Sequence, residues 1–488
     1  MRRTVPKREA DRITLYMRTY YSLLRTTDAV QIRTLEETHI AMDPALHPNA
    51  GVLEPDMSAF VYTSLRLPRC ILDVRQVILG QSEGVFHRHG YPDIETWMPV
   101  SGPARRRRMF YDGKGTLATY IASISDIDDL VPMLTAFQIE WNKMHQLIGM
   151  EPELTEQLVA CATTRAGVEE ACGQAREVLR LSEDDWERLK TVWGDDLPDL
   201  LAHIAAERKR MSVTLVAGSH VEYLRATQKW WDRVNQRAPF DLSERPIYFV
   251  SSNTHSLVNM VTSFAQNHEE ELLAYVASEA DPELWEEGER IRQRQVPSNW
   301  SNFLYYVLKK YLQAPQGRQL LKARDAHEAA LGVTRIPSQH TFDLEVQLIE
   351  LAKLDRAYLD PRLLDDLPID RLKDTRAVIL NIDYPLGFAA YHLLSRIAVN
   401  VEELRGAYVI GKAATLNARI GDVMIPNVVY DEYSSNTYLF NNVFTAQHVA
   451  PYLVYGDVLD NQRTIAVHGT FLQNRRYMES FLRLGYTV

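Results

Sequence analysis

Four short stretches carry the residue types that chemistry on a small polar ligand needs. GKAATLN (411–417) places Gly411, Ala413, Ala414, Thr415 and Asn417 directly after the apolar run AYVI. Side chains this small let a ligand approach the backbone closely, and Thr415 and Asn417 add hydrogen-bonding groups. SSNTHSL (251–257) follows PIYFV and offers Ser251, Ser252, Asn253 and His255. At a helix start these groups suit a phosphate, and they serve equally well as plain helix caps. HGTFLQN (468–474) holds His468, the single candidate for proton transfer, although a lone histidine is more often structural. DYPLG (383–387) follows a further apolar run and offers Gly387 as another substrate contact.

The elements that position these stretches are legible in outline. Residues 376–382 (RAVILNI), AYVIGK, VMIPNVVYD and TIAVHGT read as strands, while 384–400 and YMESFLRLG read as helices. Strands alternating with helices point to an α/β sheet, and ligands collect beyond the carboxyl ends of such strands. The expected architecture is α+β overall: a mixed region over 1–149, a mainly helical region over 150–375 with one strand near 247–250, and an α/β domain with a mixed sheet over 376–488. Residues 7–26 carry a helical apolar stripe. Ser125 before its aspartates and Ser182 before Asp185 read as helix N-caps. Residues 150–235 and 266–355 read as helices, 86–108 as a long loop, and no internal repeat is visible. Asp422 in Gly421-Asp422 reads as a turn former.

GKAATLNARIGDVMIP resembles an element of the nucleoside phosphorylase and nucleosidase superfamily. RAVILNIDYPLGFAAYHLL before it and TIAVHGTFLQNRRYMESFLRLGYTV after it are similar to neighbouring elements of the same superfamily. The resemblance covers residues 376–488, about a quarter of the chain. It implies cleavage of an N-glycosidic bond in a nucleoside or nucleotide, of purine type, by water or by inorganic phosphate as co-substrate. It implies base or ribose contact at 411–417, stacking of Phe471 on the base, and a homo-oligomer. In that superfamily a Met-Glu segment follows the strand matched by LGYTV, and this chain ends before it, at Val488. The alternative is a non-catalytic nucleotide-binding or scaffolding protein on the same kind of domain.

The bulk properties set bounds. The chain has 488 residues and a formal net charge of -10, which speaks weakly against nucleic acid as a partner. No apolar run reaches the roughly 18 residues of a membrane span. Three cysteines (Cys70, Cys161 and Cys172) fit buried reduced thiols and a cytoplasmic setting. Arg105–Arg108 reads as a solvated basic loop, with a phosphate or an acidic partner as the sharper alternative. His87 and His89 form too weak a pair to assign a metal, and no cofactor is expected.

Overall fold

The computed structural model describes residues 7–26, 28–216, 220–278, 282–295, 299–338, 342–365, 367–385 and 387–487. The protein is α+β, with mixed sheets among many helices. Its contacts group into two compact units. The first comprises Met1–Ala226, Tyr430–Asn436 and Ile465–Tyr486, and the second Thr227–Val429, Thr437–Thr464 and Thr487–Val488.

The first unit is built on a six-stranded sheet. Its strands are β1 (Val30–Gln31), β2 (Gln76–Gly80), β3 (Met98–Gly102), β4 (Arg105–Tyr111), β5 (Thr116–Tyr120) and β6 (Ser212–Leu215), in the order β1–β6–β2–β5–β4–β3. β2 runs parallel to β5 and β6, and β5, β4 and β3 alternate in direction. The sequence QVILG of β2 is buried from Val77 onward, as a central parallel strand covered on both faces requires. Helix α1 (Lys7–Thr26) matches the expected stripe and buries Ile13, Tyr16, Tyr20 and Leu24 at helical spacing. Helices α2 (Arg33–Met42) and α3 (Ile124–Ile148) share its core, together with Phe471, Tyr477 and Phe481. The cap of α3 is Ser123 rather than Ser125. The helix starts earlier because the Asp126 carboxylate accepts the N–H groups of Ala122 at 2.7 Å and Ser123 at 3.2 Å. Ser182 caps its helix as expected, accepting the Asp185 N–H.

Residues 86–108 do not form a long loop, and Arg105–Arg108 is not a solvated one. These arginines open β4, whose alternation turns Arg105 and Arg107 to one face. Arg107 is 6% exposed and donates to Asp126 at 2.7 Å and Asp129 at 3.1 Å; Arg105 donates to Asp129 at 2.7 Å. Buried cations of this kind persist only when carboxylates meet them.

The second unit holds a five-stranded sheet of β7 (Pro246–Ser251), β8 (Val333–Ile336), β9 (Val346–Glu350), β10 (Val378–Ile382) and β11 (Glu403–Val409), in the order β11–β7–β10–β9–β8. β7 runs parallel to β10 and β11, and β10, β9 and β8 alternate in direction. β8 and β9 fall where helix was expected, and β6 interrupts 150–235. These strands are four or five residues long, too short for a period to show. A third sheet, in the order β13–β12–β14, is made of β12 (Val423–Asp431), β13 (Asn436–Leu439) and β14 (Val458–Ala466).

The two larger sheets share one topology. Counting the strands of β2–β6 and of β7–β11 from one to five along the chain, both sheets have the order 5-1-4-3-2 with the same parallel and antiparallel pairs. No sequence repeat announces this duplication. The helices that would reveal a common period are inserted at different points: between β5 and β6 in the first unit, and between β7 and β8 in the second.

Cys161 and Cys172 are buried free thiols and Cys70 is a half-buried one. Among the described residues no helix is long and apolar enough to cross a membrane.

Candidate functional site

Strand pairing brings three of the four polar stretches to one edge of the second unit's sheet. Ser251 lies opposite both Ile382 and Val409, so β7, β10 and β11 end level with one another. The next bonds continue the ladder: Ser252 N–H donates to the Ile382 carbonyl at 3.0 Å, and Ile410 N–H to the Ser251 carbonyl at 2.9 Å. The loops at 252–255, 383–387 and 410–417 therefore leave together from the carboxyl ends of three adjacent parallel strands. The chain runs from β10 through helix α5 to β11, crossing β7, once α4 (Ser256–Thr262) and α5 (Phe388–Asn400) are placed in order. Such a change of strand order opens a crevice in which α/β proteins bind ligands.

The edge is braced from beneath. Ser252 Oγ donates to Asn381 Oδ1 at 2.9 Å, and Asn381 Nδ2 donates to Gln347 Oε1 at 2.9 Å and to the Asn253 carbonyl at 3.2 Å. Gln347 Nε2 reaches the Thr254 carbonyl at 2.7 Å and Glu345 Oε1 at 2.8 Å. Arg335 is clamped between Glu345 at 2.5 Å and Glu328 at 2.6 and 2.9 Å. Asn253 Oδ1 accepts the N–H groups of His255 at 3.0 Å and Ser256 at 2.6 Å, which starts α4. Ser252 and Asn253 thus fix the loop, and their side chains are already engaged.

The remaining residues of these loops differ in kind. His255 is half-buried, and burial, with Lys309 and Arg335 adding to it, holds its imidazole down to about 4, so it is neutral at pH 7. Gly387 has φ 47°, which favours glycine, and α5 begins after it with no side-chain cap. Gly411, Ala413, Ala414 and Asn417 are exposed; Thr415 Oγ1 is tied to the Ala418 backbone at 3.2 and 3.3 Å. Asp422 closes the loop, accepting the N–H groups of Arg419 at 2.8 Å and Asp457 at 2.9 Å.

The fourth stretch belongs to the first unit. Phe471 is 2% exposed and packs edge-on against Tyr62, with His39 and His47 on its other sides. It is a core aromatic in this structure. His468 lies near the surface of the same unit, with the Tyr433 ring 4.2 Å from its own and burial holding its imidazole down to about 4. His87 pairs with Glu95 at 2.9 Å, and His89 with the Val85 carbonyl at 2.8 Å; no cluster of metal-ligating side chains occurs among the described residues.

Sequence reasoning missed Arg335, Gln347 and Asn381. The last two had a signal: each is a single amide inside an apolar strand, where a buried polar group must find partners.

The chain belongs to a family of unknown function (DUF6909), whose model matches residues 32–488. No curated protein and no solved structure matches it.

Proposed function

We propose that the second unit binds a nucleoside or nucleotide at the carboxyl edge of β11–β7–β10 and cleaves its N-glycosidic bond, of purine type, by attack of water or inorganic phosphate. The observation that carries this reading is the level ending of three parallel strands, from which every ligand loop of that unit departs. The resemblance of residues 376–488 to the phosphorylase superfamily supplies the substrate class. In this reading Gly411–Asn417 lies along the ribose and base, and Gly387 and the uncapped start of α5 favour an anion. The 251–255 loop, with neutral His255, faces the phosphate. An oxocarbenium-like sugar and a departing base need charge stabilisation and a proton. Self-association belongs to the same reading, as does a cytoplasmic setting.

One observation favours the non-catalytic alternative, a nucleotide-binding scaffold: Ser252, Asn253, Asn381 and Gln347 are spent on one another. Incubating the protein with nucleosides and nucleotides, with and without phosphate, and quantifying free base separates the two readings. Base released only with phosphate identifies phosphorolysis; base released without it identifies hydrolysis. In either case Asn417→Ala and His255→Ala are expected to slow release by roughly tenfold or more. Ligand binding without release selects the scaffold, and absence of both overturns the reading.

A further inference from the structure

The first unit has an open cleft of about 690 Å³, bounded by one face of α1 and by the segments at 432–433 and 468. That volume is in the range of sites for small organic ligands, roughly 300–1,000 Å³. Arg18, Tyr21 and Arg25 line one wall, with hydroxyl side chains of the same helix face; Glu432, Tyr433 and His468 line the other. Neither Arg18 nor Arg25 has an ion-pair partner among the described residues, and Arg25 lies 5.6 Å from the centre of the Tyr21 ring.

The cleft is anchored at a meaningful place in the sheet. Asp128, in the first turns of α3, accepts hydrogen bonds from Tyr20 at 2.5 Å, Tyr21 at 2.6 Å and Tyr433 at 3.0 Å. Ser125 Oγ adds a bond to Tyr433 Oη at 2.9 Å. α3 is the helix that follows β5, and β5 occupies in the first sheet the place that β10 occupies in the second. The cleft therefore stands at the carboxyl edge of the duplicated topology, where the position rule for ligands applies again.

We propose that this cleft is a second ligand site, taking a small organic anion, a carboxylate or a phosphate, between the guanidinium groups of Arg18 and Arg25 and the wall of Glu432, Tyr433 and His468. Guanidinium groups recognise these planar or tetrahedral oxyanions through paired N–H donors. The opposite wall controls the charge. Glu432 accepts the His468 N–H at 2.9 Å and a hydrogen bond from Tyr477, and burial pushes its carboxyl up to about 7. The other ionisable groups facing it are Asp431, whose charge also raises it, Tyr430 and Tyr433 beside it, the neutral imidazole of His468, and Tyr21, Arg18 and Arg25 of α1. Protonated, Glu432 donates to the anion; ionised, it repels it. Affinity therefore falls as pH rises through about 7.

Calorimetric titration of the full chain with succinate and, separately, with inorganic phosphate tests the site. Succinate serves for the pH comparison because it is almost wholly the dianion between about pH 6.5 and about pH 8. The expected result is binding of at least one probe and, for succinate, roughly tenfold weaker binding at the higher pH. Arg18→Gln with Arg25→Gln, both exposed positions, should abolish binding while leaving the melting curve unchanged. Glu432→Gln should keep binding and remove its pH dependence. Binding of phosphate alone, or of succinate alone, tells the two oxyanions apart. Absence of binding by both probes, or succinate binding that survives the double arginine variant, overturns the proposal; phosphate that survives that variant and is lost in His255→Ala belongs to the second unit.

Discussion

Glu140 sits fully buried in α3 and is held from three directions. His47 Nε2 approaches it at 2.5 Å, the Lys143 ammonium at 2.6 Å, and the Asp56 N–H at 2.5 Å. His47 passes the chain of bonds to His39 at 3.0 Å, where burial keeps the imidazole well below its usual range. Phe471, expected from its sequence context to meet a ligand, packs on these two histidines. Removing the carboxylate would leave Lys143 with carbonyl partners only, at Asn49 and Glu54. Breaking a buried pair from one side costs about 3–5 kcal/mol. Glu140→Ala is therefore expected to lower unfolding free energy by that amount in chemical denaturation, and Glu140→Gln by less. A loss below about 1 kcal/mol would mean that the network contributes little. Only the spacing of Glu140 and Lys143 was visible in sequence; Asp56, His47 and His39 lie 84 to 101 positions away and meet Glu140 only on folding.

At the scale of elements, the turn at Gly421-Asp422 is the case where sequence and structure agree closely. Gly421 has φ 100°, and a Cβ there would stand 2.4 Å from the Tyr455 ring; one on Gly456 would stand 2.4 Å from the Gly421 carbonyl. Two turns are thus packed backbone to backbone, and only glycine fits either. Gly421→Ala is expected to destabilise the second unit by about 1–3 kcal/mol, read as a lowered denaturation midpoint. An unchanged midpoint would show that the turn relaxes without cost. The longer elements α1, α5, β7, β11 and β12 were legible because their patterns run for several residues, and the five-residue β10 because it lies in the nearly unbroken apolar run AVILNI. β3, β6, β8 and β9 were not, since four or five residues cannot distinguish strand from helix by period and polar residues or proline interrupt each of them. The arginines of β4 misled for another reason: a run of charge reads as solvated until its partners Asp126 and Asp129, 19 to 24 positions away, are known.

At the scale of the molecule, the second unit exposes many apolar side chains. Ile420 is 92% exposed, Val443 73% and Leu439 72%, with Val409, Ile410, Phe444 and Tyr452 also exposed. Apolar surface in such quantity predicts association. Light scattering is expected to show mass rising with protein concentration, and Ile420→Lys with Val443→Lys to return the protein toward the monomer. A monomeric wild type across the accessible range would refute this.

Composition and pattern by themselves determined the α+β class, the first helix, the strands and loops of residues 376–431, and the small-residue stretches that end those strands. These features are local: propensity, capping and turn chemistry act within a few residues of each other. Tertiary structure alone decided which stretches share an edge. It set 251–255, 383–387 and 410–417 side by side and assigned His468 and Phe471 to the first unit. It also turned Arg105 and Arg107 inward, and repeated one five-strand order in two parts of the chain that show no visible sequence repeat. The physical reason is that strand pairing and charge pairing join residues tens to hundreds of positions apart, and their free energy depends on partners that no single stretch contains.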